Sequence, residues 1–287
     1  MRRALPFLFI LISVAMFGCA DKQAKVERRP KIYRSVVSLS PSTTEIIATD
    51  ADSNTLKGRT RSCNYPPNLM AVVPVVADVK PDYERIMAIK PDMIVYDKGL
   101  YTDQDIDKLK ASGADIYGID AVTVSDFIKQ MYVLGGKLGW ETRFNDYLER
   151  VYTEQKACLA EPVNPKPKVA VVLPGPGGDD YICGADSFIG DVIRIAGGQI
   201  VGPKGAKFEK LNAEAFVALN PDEIFVNGTP TDVSGHGLVM NDPRFKTITA
   251  VKTGHVSAIL SDVLLRRGQR VDELMKQLHN LLRTRSK

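Results

Sequence analysis

Two glutamates occupy the same place in a pattern that the chain uses twice. Glu84 begins the stretch ERIMAIKPDMIVY, and Glu214 begins the stretch EAFVALNPDEIFVN. In both copies an Ala follows the Glu four residues later, and a Pro-Asp pair then precedes an apolar run. A carboxylate at such a position can pair with an arginine of another molecule, or it can simply complement the positive end of a helix dipole.

The repeated stretch predicts a short helix, a Pro-Asp turn and a buried parallel strand. The two copies are separated by about half the chain, which is too far for a solenoid, whose repeats are about 20–50 residues long. Strands and helices alternate in both halves, so each sheet should be mainly parallel and covered on both faces. We therefore predict two similar α/β lobes with a ligand cleft between them.

Ligand contacts are expected in the loops that follow the strands, because ligands of open α/β sheets bind there. One wall of the cleft is predicted from Ser40, Pro41, Ser42, Cys63, Asn64, Tyr65, Lys98 and Gly99. The other wall is predicted from the Gly-rich loop 174–180 with Asp262 and Arg266. The alternative is that these are turn residues selected for their backbone angles. Ser42 and Glu45 have the spacing of a capping box at the start of a helix.

The cysteines and histidines form no metal pattern. The three internal cysteines are scattered, the three histidines lie far apart, and neither set has the spacing of a zinc site. No His lies near Cys63 in sequence to act as its base, so buried free thiols are the preferred interpretation of Cys63 and Cys183. We expect no metal, no cofactor and no catalysis, with a cysteine-dependent hydrolase using Cys63 as the alternative.

Residues 125–161 are almost entirely helix-forming, and we expect breaks at Gly135, Gly136 and Gly139. The part from 141 to 159 would be about 30 Å long, enough to cross from one lobe to the other. A single stiff connector of this kind should allow only a small hinge motion.

The N-terminus has the organisation of a secretion signal. Arg2 and Arg3 precede an apolar run, residues 4–17, that is short for a membrane span, and the run leads into Gly18-Cys19. This resembles the lipobox of bacterial lipoproteins, with Cys19 as the lipidated residue; a single-pass anchor is the alternative. Without these two arginines the formal charge of +4 becomes too small to suggest a nucleic-acid partner.

These features predict five segments. Residues 1–19 form a lipoprotein signal peptide and residues 20–34 a tether. Residues 35–122 form the first lobe, 123–161 the connecting helices and 162–287 the second lobe.

The chain resembles the periplasmic binding protein family that serves corrinoid and ferric-siderophore ABC importers. The resemblance covers about residues 35–282, nearly all of the mature chain. It rests on five stretches: Val37–Glu45, Cys63-Asn64-Tyr65-Pro66-Pro67, the two repeat copies, Cys183–Asp191, and Ser261-Asp262 through Arg270. It implies the class III architecture of this family, with two similar α/β lobes, mainly parallel sheets and one long backbone helix. The Cys-Asn-Tyr-Pro-Pro turn most resembles the cobalamin-binding branch, in which Tyr65 would lie against a planar macrocycle and Asn64 against its amide rim.

The resemblance implies an extracytoplasmic, lipid-anchored and monomeric solute-binding protein. It would capture cobalamin or a related corrinoid as transported ligand and dock to the permease subunits of an ABC importer through Glu84 and Glu214. A ferric-siderophore or haem receptor is the alternative in the same class, because Arg59, Arg61, Lys98 and Arg266 around the cleft suit an anionic iron chelate. A purely structural surface protein is a further alternative.

Overall fold

The computed structural model describes residues 31, 33–50, 54–175, 179–228 and 234–285. Residues 32–287 belong to one compact unit. The predicted signal peptide, including Cys19, and most of the predicted tether lie outside the described residues. Within the described part, the strands form two separate sheets.

Lobe one is built on a five-stranded parallel sheet of order β3-β2-β1-β4-β5. Its strands are β1 Val36–Leu39, β2 Leu56–Thr60, β3 Val75–Ala77, β4 Met93–Asp97 and β5 Asp115–Ile119. Its helices are α1 Pro41–Asp50, α2 Pro67–Met70, α3 Tyr83–Ile89 and α4 Asp103–Lys110. The central strand β1 is buried along its whole length, as expected for a parallel strand covered on both faces.

Two helices connect the lobes, α5 Val124–Leu138 and α6 Glu141–Ala160. The predicted break at Gly135-Gly136 is wrong, since α5 continues through both residues and ends at Gly139, which has φ 72°. A Cβ atom at Gly135 would lie 2.8 Å from Cβ of Phe144. Glycine at this position therefore lets the two connecting helices pack closely.

Lobe two is built on a mixed sheet of order β11-β10-β6-β7-β9, with β8 paired to β6. Its strands are β6 Lys168–Leu173, β7 Tyr181–Cys183, β8 Gln199–Ile200, β9 Phe208–Lys210, β10 Glu223–Gly228 and β11 Val256–Leu260. Its helices are α7 Phe188–Ile195, α8 Ala213–Leu219, α9 Ser234–Met240, α10 Thr249–Thr253, α11 Ser261–Leu264 and α12 Val271–Arg285, with a 3₁₀ helix at Pro243–Phe245. Strand β7 runs antiparallel to both of its neighbours, whereas the other pairs in this sheet are parallel.

The connecting helices and α12 form a shared apolar layer. One core cluster includes residues from both sheets, α5, α6 and α12. Tyr147 of α6 is fully buried, and its hydroxyl donates to the carbonyl of Gly268 at 2.6 Å. The predicted fold class is thus confirmed: an α/β protein of two lobes with mainly parallel sheets.

The sequence repeat is also a structural repeat. Asp82 caps α3 and Asn212 caps α8, each through its side-chain oxygen. Both helices end in a residue with positive φ, Lys90 at 50° and Asn220 at 43°. The same local conformation therefore leads into β4 in lobe one and into β10 in lobe two.

Candidate functional site

A cavity of about 480 Å³ lies between the two lobes. Lobe one contributes residues at or just beyond the ends of its strands and in the loops that follow, namely Pro41, Ser42, Ser62, Asp97, Lys98, Leu100, Ala121 and Val122. Lobe two and the segment after β11 contribute Ser187, Phe188, Ile189, Ala206, Phe208, Ser261, Asp262, Leu264, Leu265, Arg266 and Arg267. Residues distant in sequence thus surround one space large enough for a small-molecule ligand.

Two aromatic residues, Phe188 and Phe208, line this cavity. Phe188 is positioned by the cap of α7, where the Ser187 hydroxyl oxygen accepts from the amide of Gly190 at 3.1 Å. Its ring packs edge-to-face on Phe127 of α5, with 5.7 Å between ring centroids. Phe208 begins β9 and is half-buried. Both rings can bury apolar ligand surface, and neither was among the residues predicted from the sequence.

The cations that line the cavity are paired with carboxylates. Lys98 Nζ lies 2.7 Å from Asp120, and Arg266 Nη2 lies 2.7 Å from Asp262. The hydrogen bond to Asp120 raises the pKa of Lys98, and the same bond lowers the pKa of Asp120. The positive charges around the cavity are therefore locally neutralised.

Arg267 and Asp97 form a third pair at this wall, with 3.0 Å between Nη2 and Oδ1. Asp97 is buried, which raises its pKa, whereas the adjacent Arg267 acts in the opposite direction. Arg267 also donates to the carbonyl of Ala121 at 2.7 Å. This arginine therefore links the segment after β11 to the ends of two lobe-one strands.

Five residues form a polar cluster between the lobes, which we call the interlobe clasp: Glu45, Asn64, Asp262, Arg266 and Arg270. Glu45 Oε1 accepts from Arg266 Nη1 at 2.8 Å and from Arg270 Nη2 at 2.9 Å. Asn64 Oδ1 accepts from Arg266 at 2.6 Å, and Asn64 Nδ2 donates to Asp262 at 2.5 Å. The clasp joins α1 and the loop after β2 to the segment after β11.

The profile of the family described as periplasmic binding protein matches residues 36–263. The chain belongs to the periplasmic binding protein family. This is a family of substrate-binding proteins rather than of enzymes.

Individual relatives of this periplasmic binding protein agree with the assignment. An uncharacterized ABC transporter substrate-binding lipoprotein of Bacillus subtilis, YvrC, is 24% identical over 273 residues, covering 92% of this chain and 84% of the relative. A cobalamin-binding protein of Halobacterium salinarum is 23% identical over 257 residues, covering 85% and 68%. The structure of the periplasmic heme-binding protein RhuT from Roseiflexus sp. RS-1 in apo form superposes with a TM-score of 0.77 at 20% identity, covering 88% of this chain and 99% of that one. This structural likeness shows the shared fold.

Five of the ligand-binding candidates line the cavity of this periplasmic binding protein: Pro41, Ser42, Lys98, Asp262 and Arg266. Asn64 lies beside them through its bonds to Asp262 and Arg266. Their part in ligand binding stays a prediction.

The remaining four candidates do not line the cavity. Ser40 and Cys63 are buried, and the Cys63 thiol contacts the hydroxyls of Thr44 and Thr60, each at 3.2 Å. Gly99 is exposed at a turn with φ 89°. The fourth candidate, Tyr65, lies against Arg270, whose guanidinium carbon is 4.4 Å from the ring centroid.

The predicted capping box at the start of α1 is wrong. Ser40 rather than Ser42 caps this helix, because its hydroxyl oxygen accepts from the amide of Thr43 at 3.0 Å. Glu45 is consequently not used as a cap partner and instead binds two arginines of the clasp. Of the candidate loop 174–180, residues 176–178 lie outside the described part.

Glu84 and Glu214 are both exposed in the first turn of their helices. Within the described residues, neither carboxylate forms an ion pair or a hydrogen bond. Their role in docking stays a prediction, but both are available to a partner.

The described part of the chain offers neither a cluster of metal ligands nor a membrane-spanning helix. No group of three or more His, Cys, Asp and Glu residues there could hold a metal ion. The helices in this part of the chain are too short or too polar to cross a membrane.

Proposed function

We propose that this chain is the extracytoplasmic, lipid-anchored solute-binding component of an ABC importer, and that it captures cobalamin or a related corrinoid between its lobes. The cavity shared by the two lobes supports capture of a small molecule. The names of the Bacillus and Halobacterium relatives support the importer and the corrinoid, respectively. The lipid anchor rests on Cys19 and the segments predicted around it.

The observation that carries the ligand class is the chemistry of the cavity lining. Its cations are paired with Asp97, Asp120 and Asp262, so the wall offers little unbalanced charge to an anionic iron chelate. Its apolar rings and polar edges suit a large ligand that combines apolar faces with a rim of amides. Affinity would come mainly from buried apolar area, at about 25 cal/mol per Å², less the cost of ordering the complex.

The lining also favours a corrinoid over haem. Haem iron is held in proteins by His, Cys, Met or Tyr side chains. The side chains that line the described part of the cavity are of other types. Residues 176–178 and 229–233, which lie outside the described part, contain none of these four residue types in their sequence. A corrinoid brings its own ligands to cobalt and needs none from this wall.

We further propose that Glu84 and Glu214 dock the loaded chain to the permease. Both are exposed, both stand in the first turn of a matched helix, and both lack an intramolecular partner among the described residues. Helices α3 and α8 each precede a strand that is parallel to its neighbours in the sheet. The N-terminus of each helix therefore points toward the edge of the sheet that holds the carboxyl ends of the strands. Arginines of a permease could bind each carboxylate through two parallel hydrogen bonds, which fixes orientation.

Charge reversal tests the docking proposal. Cobalamin uptake should be abolished in source cells in which the double variant Glu84→Arg, Glu214→Arg replaces the unaltered chain. Its affinity for cobalamin in solution should equal that of the unaltered chain, because neither residue lines the cavity. Glu149→Arg with Glu273→Arg makes the same charge change at exposed positions of α6 and α12 and should leave uptake intact. Loss of solution affinity in the first variant would refute docking as the role of these glutamates.

A further inference from the structure

Lobe two carries a second cavity of about 250 Å³ beside α8. Its walls are mainly apolar and include Ile182, Leu211, Ala215, Phe216 and Leu219. None of these residues lines the cavity between the lobes. We call this second cavity the α8 recess.

The sequence repeat places a different residue at the corresponding position of lobe one. Arg85 follows Glu84 there, as Ala215 follows Glu214 in lobe two. Arg85 lies 3.2 Å from Asp82 and donates to the carbonyl of Val75 at 3.2 Å. The corresponding region of lobe one is also a cavity, of about 360 Å³, but charged residues line much of it, namely Arg61, Asp78, Lys80, Asp82 and Arg85. The short side chain of Ala215 stands where lobe one has Arg85, and the α8 recess is mainly apolar.

Glu209 lines the α8 recess, and Glu214 directly precedes the lining residue Ala215. Glu214 and Glu209 are exposed, and within the described residues neither carboxylate has an ion-pair or hydrogen-bond partner. The lysine between them in sequence, Lys210, is paired with Asp179 at 2.7 Å. An open apolar recess with one free carboxylate in its wall and another on the residue before Ala215 is complementary to an apolar side chain that is flanked by basic residues.

We propose that the α8 recess receives an apolar side chain of the permease, adjacent to the basic residue that Glu214 binds. This inference rests on the docking function proposed above and adds an apolar anchor in lobe two, where the equivalent cavity of lobe one is lined largely by charged residues. Buried apolar anchors in preformed pockets supply much of the energy of protein interfaces. The two lobes would then contact the permease through different chemistry, so the receptor docks in a single orientation.

Filling the recess tests this proposal. Ala215→Trp places a large ring at an exposed position of the recess wall, and Ala215→Arg copies the residue of lobe one. Ala218→Trp is the matched control, because Ala218 is exposed on the same helix but does not line the recess. Thermal unfolding shows that each variant is folded. The measurement is saturable binding of labelled protein to right-side-out membrane vesicles from source cells that lack this chain.

We expect Ala215→Trp and Ala215→Arg to bind the vesicles about tenfold more weakly than the unaltered chain. Ala218→Trp should bind as the unaltered chain does. Suppose that both Ala215 variants bind the vesicles normally and the double variant with Glu84→Arg and Glu214→Arg does not. The recess proposal is then wrong, and docking through the glutamates stands. If the unaltered chain itself shows no saturable binding, or the double reversal has no effect, the docking function fails and the recess proposal fails with it.

Discussion

Arg266, in the segment after β11, donates to Glu45 of α1 across 2.8 Å, although 221 residues separate them in the chain. The pair is largely enclosed, since the two side chains are 13% and 1% exposed. Arg270 binds the same carboxylate oxygen. The lobes are therefore tied by the interlobe clasp as well as by the connecting helices, and opening of the cleft must keep or break these bonds.

Removal of the Glu45 charge should destabilise the protein. Glu45→Gln leaves two mostly buried arginines without their shared carboxylate, and loss of one partner of a buried ion pair costs about 3 kcal/mol. Equilibrium unfolding in urea measures the free energy of unfolding. Arg61→Ala is the control, because it breaks an ion pair with Asp78 whose side chains are 68% and 61% exposed, which is worth about 1 kcal/mol or less. Equal effects of the two changes would show that the clasp does not stabilise the fold.

Truncation of a cavity ring should weaken ligand binding. Phe208→Ala removes apolar surface that faces the cavity, and we expect roughly tenfold weaker cobalamin binding by calorimetry. Tyr181→Ala is the control, since this exposed ring of β7 does not line the cavity. Unchanged affinity of Phe208→Ala would place the ligand elsewhere.

The three internal thiols should be unreactive in the native protein. Cys63, Cys158 and Cys183 are buried and free. Burial raises the pKa of Cys158 to about 12 and that of Cys183 to about 11. Because the thiolate is the reactive form, these raised pKa values keep the thiols of Cys158 and Cys183 protonated at pH 8.

In a protein that comprises residues 20–287, a disulfide reagent at pH 8 should therefore label the three internal thiols only after denaturation. Native labelling of Cys158 and Cys183 should rise with pH, since their ionisation increases toward their raised pKa values. Rapid native labelling of Cys63 would instead support the cysteine-dependent enzyme. Under the transport account, Cys63→Ser retains ligand affinity.

The helices and strands that were predicted best from the sequence are those whose conformation depends on residues nearby in the chain. The repeat predicted α3, β4, α8 and β10, because a Pro-Asp turn and an apolar run are local signals. Strands β7 and β9 were not predicted. They are three residues long, and Tyr181 at the start of β7 is exposed, so their conformation depends on pairing with distant strands.

The site was predicted less completely because its partners are remote in sequence. Pro41, Ser42 and Lys98 follow strands, which is a local signal, and they line the cavity. The role of Glu45 requires Arg266 and Arg270, and no local pattern shows that these residues meet. Phe208 likewise reaches the cavity only because β9 pairs with β7.

The identity of the molecule that the cavity binds is central to the proposed function. The decisive measurement is a titration of purified residues 20–287 with cobalamin, haem and a ferric hydroxamate, followed by absorbance and equilibrium dialysis. We predict saturable binding of one cobalamin per chain, weakened by Phe208→Ala, with no comparable binding of the other two compounds. Saturable binding of only haem or the iron chelate would contradict the corrinoid assignment, and absence of binding to all three would contradict a receptor for this class of ligand.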